Sequence, residues 1–237
     1  MANSFNLKKE KSIKVIITQI VLTWVVFWVA FSSINTEGVW EITFLYLVFL
    51  LFLPILVSRF FYKDNFLFEV FKGRIDKWTF LRILIQAAIF FGVMSAIVLK
   101  LNLADSVMLN FFARKEWYLE GVSVIIFVNL IFLPIALFCQ EVYFRGFVMS
   151  FLQKRLSRLN TLFFQAVIFV SFNALIFGSF DWVFLVMSFL LALFLGLLFL
   201  QTGNVLTSFA VSWIFVLITD GILLYYIEQI KNQVSIL

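Results

Sequence analysis

Long apolar runs alternate with short polar or charged segments along this chain, and the runs set its architecture. Apolar residues dominate 15–31, 42–61, 80–100, 121–150, 161–179, 182–201 and 204–227, while the gaps between them hold most of the charge. At about 1.5 Å of rise per residue, runs of this length suit helices crossing a hydrocarbon core of about 30 Å. Such spans satisfy every backbone group inside their own segment, which is what lipid demands. The expected fold is therefore all-α, a polytopic transmembrane helix bundle of about seven spans. No long polar segment is left to fold separately, so 1–237 reads as a single transmembrane domain. Residues 1–14 carry Lys8, Lys9, Lys11 and Lys14 around Glu10, a charged start of the kind that opens a leader peptide. The apolar run behind it is long for a leader and no small-residue cleavage site follows, so it is read as the first span. Pro54 and Pro134 fall inside runs, where a missing N–H predicts a bend. Over 103–120, Phe111, Phe112, Trp117 and Tyr118 sit among charges, which predicts an interfacial helix on the outer side.

Composition excludes a water-soluble globule. Of the 237 residues, 64% are hydrophobic, 34 are Phe, and mean hydropathy is +1.08. Charged residues make up 13%, about half the share usual in soluble domains. The net charge of +5 sits in loops beside apolar spans, which makes it a topology signal rather than a nucleic-acid footprint. Arg59, Lys63, Lys72, Arg74, Lys77 and Arg82 flank the second connection, and Lys154, Arg155 and Arg158 follow the fourth span. The alternate connections hold Lys100, Arg114, Lys115 and Lys231 against Glu37, Glu41, Asp105, Glu116, Glu120, Asp181 and Glu228. This asymmetry predicts a multi-pass protein of the cell membrane with its N-terminus in the cytoplasm and, for seven spans, its C-terminus outside. One short span turned re-entrant would move only the C-terminus. The single Cys139 has no disulfide partner in the chain and reads as a small buried hydrophobe. Histidine is absent, which removes the commonest zinc ligand and the commonest general base. No cofactor or metal is expected. The expected partners are membrane lipid and a peptide or membrane protein, with no nucleic acid among them.

Chemistry is concentrated at the end of the fourth run, in FCQEVYFRGFVMSFLQKRLSR from Phe138 to Arg158. Ionisable side chains are costly in lipid-facing sequence, so Glu141 and Arg145 invite a functional explanation. They stand four apart with the acid first, and so pair on one helix face. Thr18, Gln19, Thr23, Gln86 and Asn129 are polar within spans too; side chains of this kind commonly bond between helices, and they are read as packing.

Gln140, Glu141 and Arg145, followed by Gly146, form a QExxxR sequence that resembles the EExxxR motif of the CAAX-protease and bacteriocin-processing family of intramembrane proteins. That family's second motif, FxxxH, has a counterpart in Phe169-Val-Ser-Phe-Asn173. Its third, HxxxN, follows a turn similar to Leu200-Gln-Thr-Gly-Asn204 and falls on Ser212 and Val216. The resemblance implies a CAAX-protease-like core over 120–227. Within the family it implies an endopeptidase, a bacteriocin-immunity protein or a catalytically dead scaffold. Family hydrolysis uses the first glutamate and the FxxxH histidine to activate water, with the HxxxN residues stabilising the oxyanion. Here those positions carry Gln140, Asn173, Ser212 and Val216. Gln and Asn do not titrate near neutral pH, so neither can act as general base. Asn173 and Ser212 keep hydrogen-bonding capacity toward a peptide carbonyl. No residue is assigned as catalytic. The expectation is a degenerate member that acts by binding; the alternative is an active endopeptidase with an altered site and Glu141 as base. A transporter is the third class, though no pair of broken helices marks a midplane site.

Helix rise places Glu141 about 14 Å, Asn173 about 18 Å and Ser212 about 12 Å from the cytoplasmic boundary, one layer facing a cavity on that side. Asp220, about 24 Å away, belongs near the outer surface. The charge asymmetry has a direct test. In a Cys139-free background, a cytoplasm-confined thiol label should reach Phe68→Cys and Leu156→Cys and miss Arg114→Cys. Labelling of Arg114→Cys from the cytoplasmic side would refute the orientation.

Overall fold

The computed structural model describes residues 17–30, 39–62, 70–73, 75–101, 103, 122–177 and 180–218. The apolar runs become helices α1 (Ile17–Ala30), α2 (39–62), α3 (Lys77–Lys100), α4 (122–153), α5 (Arg158–Phe177), α6 (Trp182–Thr202) and α7 (Val205–Ile218). Five stretches, one each in α2 to α6, are long and apolar enough to cross a membrane; α1 and α7 are shorter within the described residues. The all-α bundle expected from the runs is the fold observed. The interfacial helix expected over 103–120 lies almost wholly outside the described residues, as do Asp220 and the end of the seventh run.

Both prolines sit just after a π-helical stretch: Pro54 follows Tyr46–Phe52 in α2, and Pro134 follows Val128–Phe132 in α4. A proline removes one backbone donor and crowds the carbonyl of the preceding turn. A wider local winding lets the helix continue through it, so α2 and α4 run on where a break was possible. A further π-helical stretch, Val142–Met149, carries Arg145.

The corners are built from side-chain caps. Asp76 caps α3, its Oδ1 accepting from the Thr79 backbone N–H at 2.9 Å. Gly203 ends α6 in the left-handed region at φ 62°, where glycine is the favoured residue, and its N–H reaches the Phe199 carbonyl at 2.8 Å. Asn204 then starts α7, accepting from the Leu206 N–H at 2.9 Å, and donates at 2.9 Å to the Gly73 carbonyl. That tie brings the segment before α3 onto the α6–α7 corner. A Cβ at Gly73 would collide with the Thr202 carbonyl, so the close approach requires glycine.

At the centre lies α4, packed on α2, α5 and α6. Every residue from Cys139 to Met149 is buried, so this part of the helix meets protein on all sides. Around it stands an aromatic cluster. The Phe27 ring of α1 is 5.5 Å from Tyr46 and 5.2 Å from Phe172, and Phe144 is 5.4 Å from Phe172 and 5.0 Å from Phe169. Helices α5 and α6 approach closely because Gly196 has no side chain: a Cβ there would come within 2.6 Å of Leu162 Cδ1 and 2.9 Å of Gln165 Oε1. By contrast, α3 is peripheral and leans on the bundle through stacked rings, with Phe90 on Phe194 at 4.2 Å and Phe91 on Phe215 at 4.8 Å. Trp78, Ile89 and Leu99 on its outer side are exposed, as a lipid-facing surface requires.

The Asp76 cap predicts a pH signature. The Thr79 hydroxyl and backbone N–H hold the Asp76 carboxyl below its usual range. The cap therefore contributes fully above the unfolded carboxylate pKa and is lost as pH falls through the lower folded value. Asp76→Ala should melt below wild type at neutral pH, and the gap should close on acidification through the carboxylate range. A gap constant with pH would show that the charge of Asp76 plays no part in the cap.

Candidate functional site

Tracing the polar residues outward from α4 gives two groups with different jobs. Gln140 sits in the α-helical stretch that ends at Glu141. Its Nε2 donates to the Tyr46 hydroxyl of α2 at 3.1 Å and to Asn173 Oδ1 of α5 at 3.5 Å. Asn173 in turn donates to the Phe169 carbonyl of its own helix at 3.0 Å. One carboxamide thus links three helices, each contact lying within the apolar interior.

The second group is charged. Arg145 Nη1 lies 3.2 Å from Glu141 Oε1, and both side chains are almost wholly enclosed, at 0% and 2% exposure. The guanidinium carbon stands 4.7 Å from the centre of the Phe169 ring, whose face offers negative charge density. Apart from the ion pair and this ring, the guanidinium meets no hydrogen-bond acceptor among the described residues. Ser208 of α7 faces the Glu141 carboxylate, and its hydroxyl also reaches the Val205 carbonyl at 3.0 Å. Both charges belong to one helix, so the pair does not itself tie α4 to a neighbour. The neighbours supply enclosure, and enclosure makes the pairing obligatory.

Of the six positions singled out in the sequence, Gln140, Glu141, Arg145 and Asn173 gather around one stretch of α4. Ser212 is buried on α7 but directs its hydroxyl to the Phe209 carbonyl at 2.9 Å. Val216, one turn further, is half-buried and brings no polar side-chain atom. The positions expected to form one layer are enclosed: Gln140, Glu141, Asn173 and Ser212 are all at most 8% exposed. Sequence reasoning missed Tyr46 and Ser208. The signal for Tyr46 was a lone phenol in a Phe- and Leu-rich run, since a buried tyrosine hydroxyl usually has a partner. Thr161 and Gln165 are also buried on α5, their side chains with no hydrogen-bond partner among the described residues, and Gln165 lies beside Gly196 of α6. Among the described residues no three of His, Cys, Asp and Glu come together as a metal site.

Chemically, this arrangement offers hydrogen bonds and one charge pair. The two carboxamides are engaged with each other and with Tyr46, and neither carries a titrating proton near neutral pH. Glu141 is the one carboxylate of the group, and it is held by Arg145. Removing one partner of a buried pair costs about 3–5 kcal/mol, against under about 1 kcal/mol for an exposed pair. Arg145→Ala should therefore lower the melting temperature markedly, and adding Glu141→Gln should restore part of the loss. Melting of Arg145→Ala at the wild-type temperature would show the pair to be solvated.

Comparison with known proteins finds a family similar to the second half of the chain. Residues 120–218 match the family model of the type II CAAX prenyl endopeptidase Rce1-like proteins. No curated protein and no solved structure matches the chain. The matched stretch runs through α4, α5, α6 and α7 of the multi-pass membrane bundle and contains Gln140, Glu141, Arg145, Asn173, Ser212 and Val216, so this part of the chain is similar to the CAAX-protease-like family.

Proposed function

We propose that the protein is a catalytically degenerate CAAX-protease-like protein of the cell membrane, N-terminus in the cytoplasm, that acts by binding a peptide or a membrane-protein partner. In this reading it works as a bacteriocin-immunity protein or as a scaffold for another membrane enzyme, and hydrolyses nothing. The observation that carries the reading is the Gln140–Asn173 contact at 3.5 Å, with Tyr46 as its third member. At the two positions where the family resemblance places water activation, this chain has amides bonded to each other inside the protein. A peptidase needs a group that takes a proton and returns it to the leaving amine. Glu141 alone has no second acid to complete the cycle, since the chain has no histidine.

Two measurements test the reading. Purified full-length protein in nanodiscs, offered prenylated and unprenylated peptides ending in a CAAX sequence, should release no fragment. In producing cells, the paired substitution Glu141→Leu with Arg145→Met removes both charges at similar volume, a replacement that buried pairs often tolerate. That variant should keep wild-type expression and the wild-type effect on peptide-antibiotic sensitivity or on the partner enzyme. Cleavage by the wild-type protein that disappears in Glu141→Gln would favour the alternative, an active endopeptidase with Glu141 as base.

A further inference from the structure

The basic end of the bundle contains an opening outside the polar group of α4. Here α4 and α6 end and the segment before α3 crosses over, leaving a cavity of about 340 Å³. Val70, Phe199 and Leu200 form its apolar wall, and Val70 and Phe199 are themselves buried. Ser150, Gln153 and Lys154 contribute its polar side. Arg158 is held at the edge, its Nη2 donating to the Leu200 carbonyl at 3.5 Å, and the Lys154 ammonium lies 4.9 Å over the Phe151 ring. The three lining segments, 70–73, 150–158 and 199–204, carry Lys72, Lys154, Arg155 and Arg158 and no acidic residue.

We propose that this cavity binds an anionic phospholipid of the adjoining leaflet. Lys154 and Arg158 take the phosphate, Ser150 and Gln153 add hydrogen bonds, and the glycerol and first methylenes rest on Phe199 and Leu200. Three features select this occupant. The cavity lies where membrane-crossing helices end, which is the level of lipid headgroups. Among the described residues that line it, its charge is of one sign, and basic pockets between helices are the usual seats of acidic headgroups. Its wall is apolar, which suits an amphiphile and gives nothing to a free ion. The proposal stands apart from the binding reading above: lipid occupancy here says nothing about proteolysis, and its failure leaves that reading unchanged.

The test uses purified full-length protein in a neutral detergent, titrated with phosphatidylglycerol, with phosphatidylcholine or with inorganic phosphate, and read by native mass spectrometry and by melting temperature. Phosphatidylglycerol should bind and raise the melting temperature, while phosphatidylcholine and phosphate at equal concentration should not. Lys154→Gln with Arg158→Gln should weaken phosphatidylglycerol binding roughly tenfold or more, whereas Lys100→Gln at the opposite end should leave it unchanged. Ser150→Trp, which fills the cavity without altering charge, should abolish the lipid effect. Equal binding of both lipids, or retention by the double variant, would overturn the proposal. Retention by Ser150→Trp would replace the pocket with a diffuse basic surface, and a shift with phosphate alone would replace the lipid with a free anion.

Discussion

Two opposite charges four residues apart, sealed inside an apolar bundle, are the constraint on which the rest of this structure turns. Moving a carboxylate and a guanidinium out of water is expensive, and mutual attraction offsets that cost only when geometry is held tightly. The central segment of α4 meets the condition by being enclosed on every side, with Phe169 beneath the guanidinium and Ser208 beside the carboxylate. The dense aromatic packing of Phe27, Phe144, Phe169 and Phe172 can be read from the same requirement. A loosely packed bundle would admit water to the pair and release the constraint.

Beside that pair, the amide contacts do a different kind of work. Gln140 joins α4 to α2 and α5 through neutral hydrogen bonds, the type of polar contact that membrane helices use to fix neighbours. Such contacts are individually weak, on the order of 0.6 kcal/mol, but they are directional. They set which faces of three helices meet, something that aromatic packing alone leaves free. In this chain the positions that resemble a hydrolytic motif lie buried and bonded within the bundle, and an open cavity lies at the basic end.

The helices were legible because each is a long, predominantly apolar run, which a membrane-crossing helix requires. Their ends were less so: the third apolar run begins near 80, whereas the Asp76 cap starts α3 at Lys77. The motif resemblance located Gln140, Glu141, Arg145 and Asn173 but not Tyr46, because a contact between residues 94 apart leaves no periodic trace in sequence. The depth estimate placed Ser212 in the layer of Glu141, while the structure turns Ser208 toward the carboxylate, one helical turn nearer the Asn204 cap. An offset of that size follows from counting uniform helical rise from an assumed boundary. Helix rotation, which decides what faces what, cannot be counted that way.

Rotation is also where the π-helical stretch before Pro134 has its consequence. In an α-helix each residue advances the side-chain direction by about 100°, so one residue gained or lost turns everything beyond it by that angle. The wider winding over Val128–Phe132 accommodates an extra residue, and the azimuth of Gln140, Glu141 and Arg145 depends on it. Loss of a single residue there, with return to regular α-helix, would leave the sequence of the charged segment untouched. It would change only which residues form one continuous face with the start of α4. The aim of the charged pair is thus encoded a dozen residues upstream, in a stretch whose own side chains are nearly all hydrocarbon.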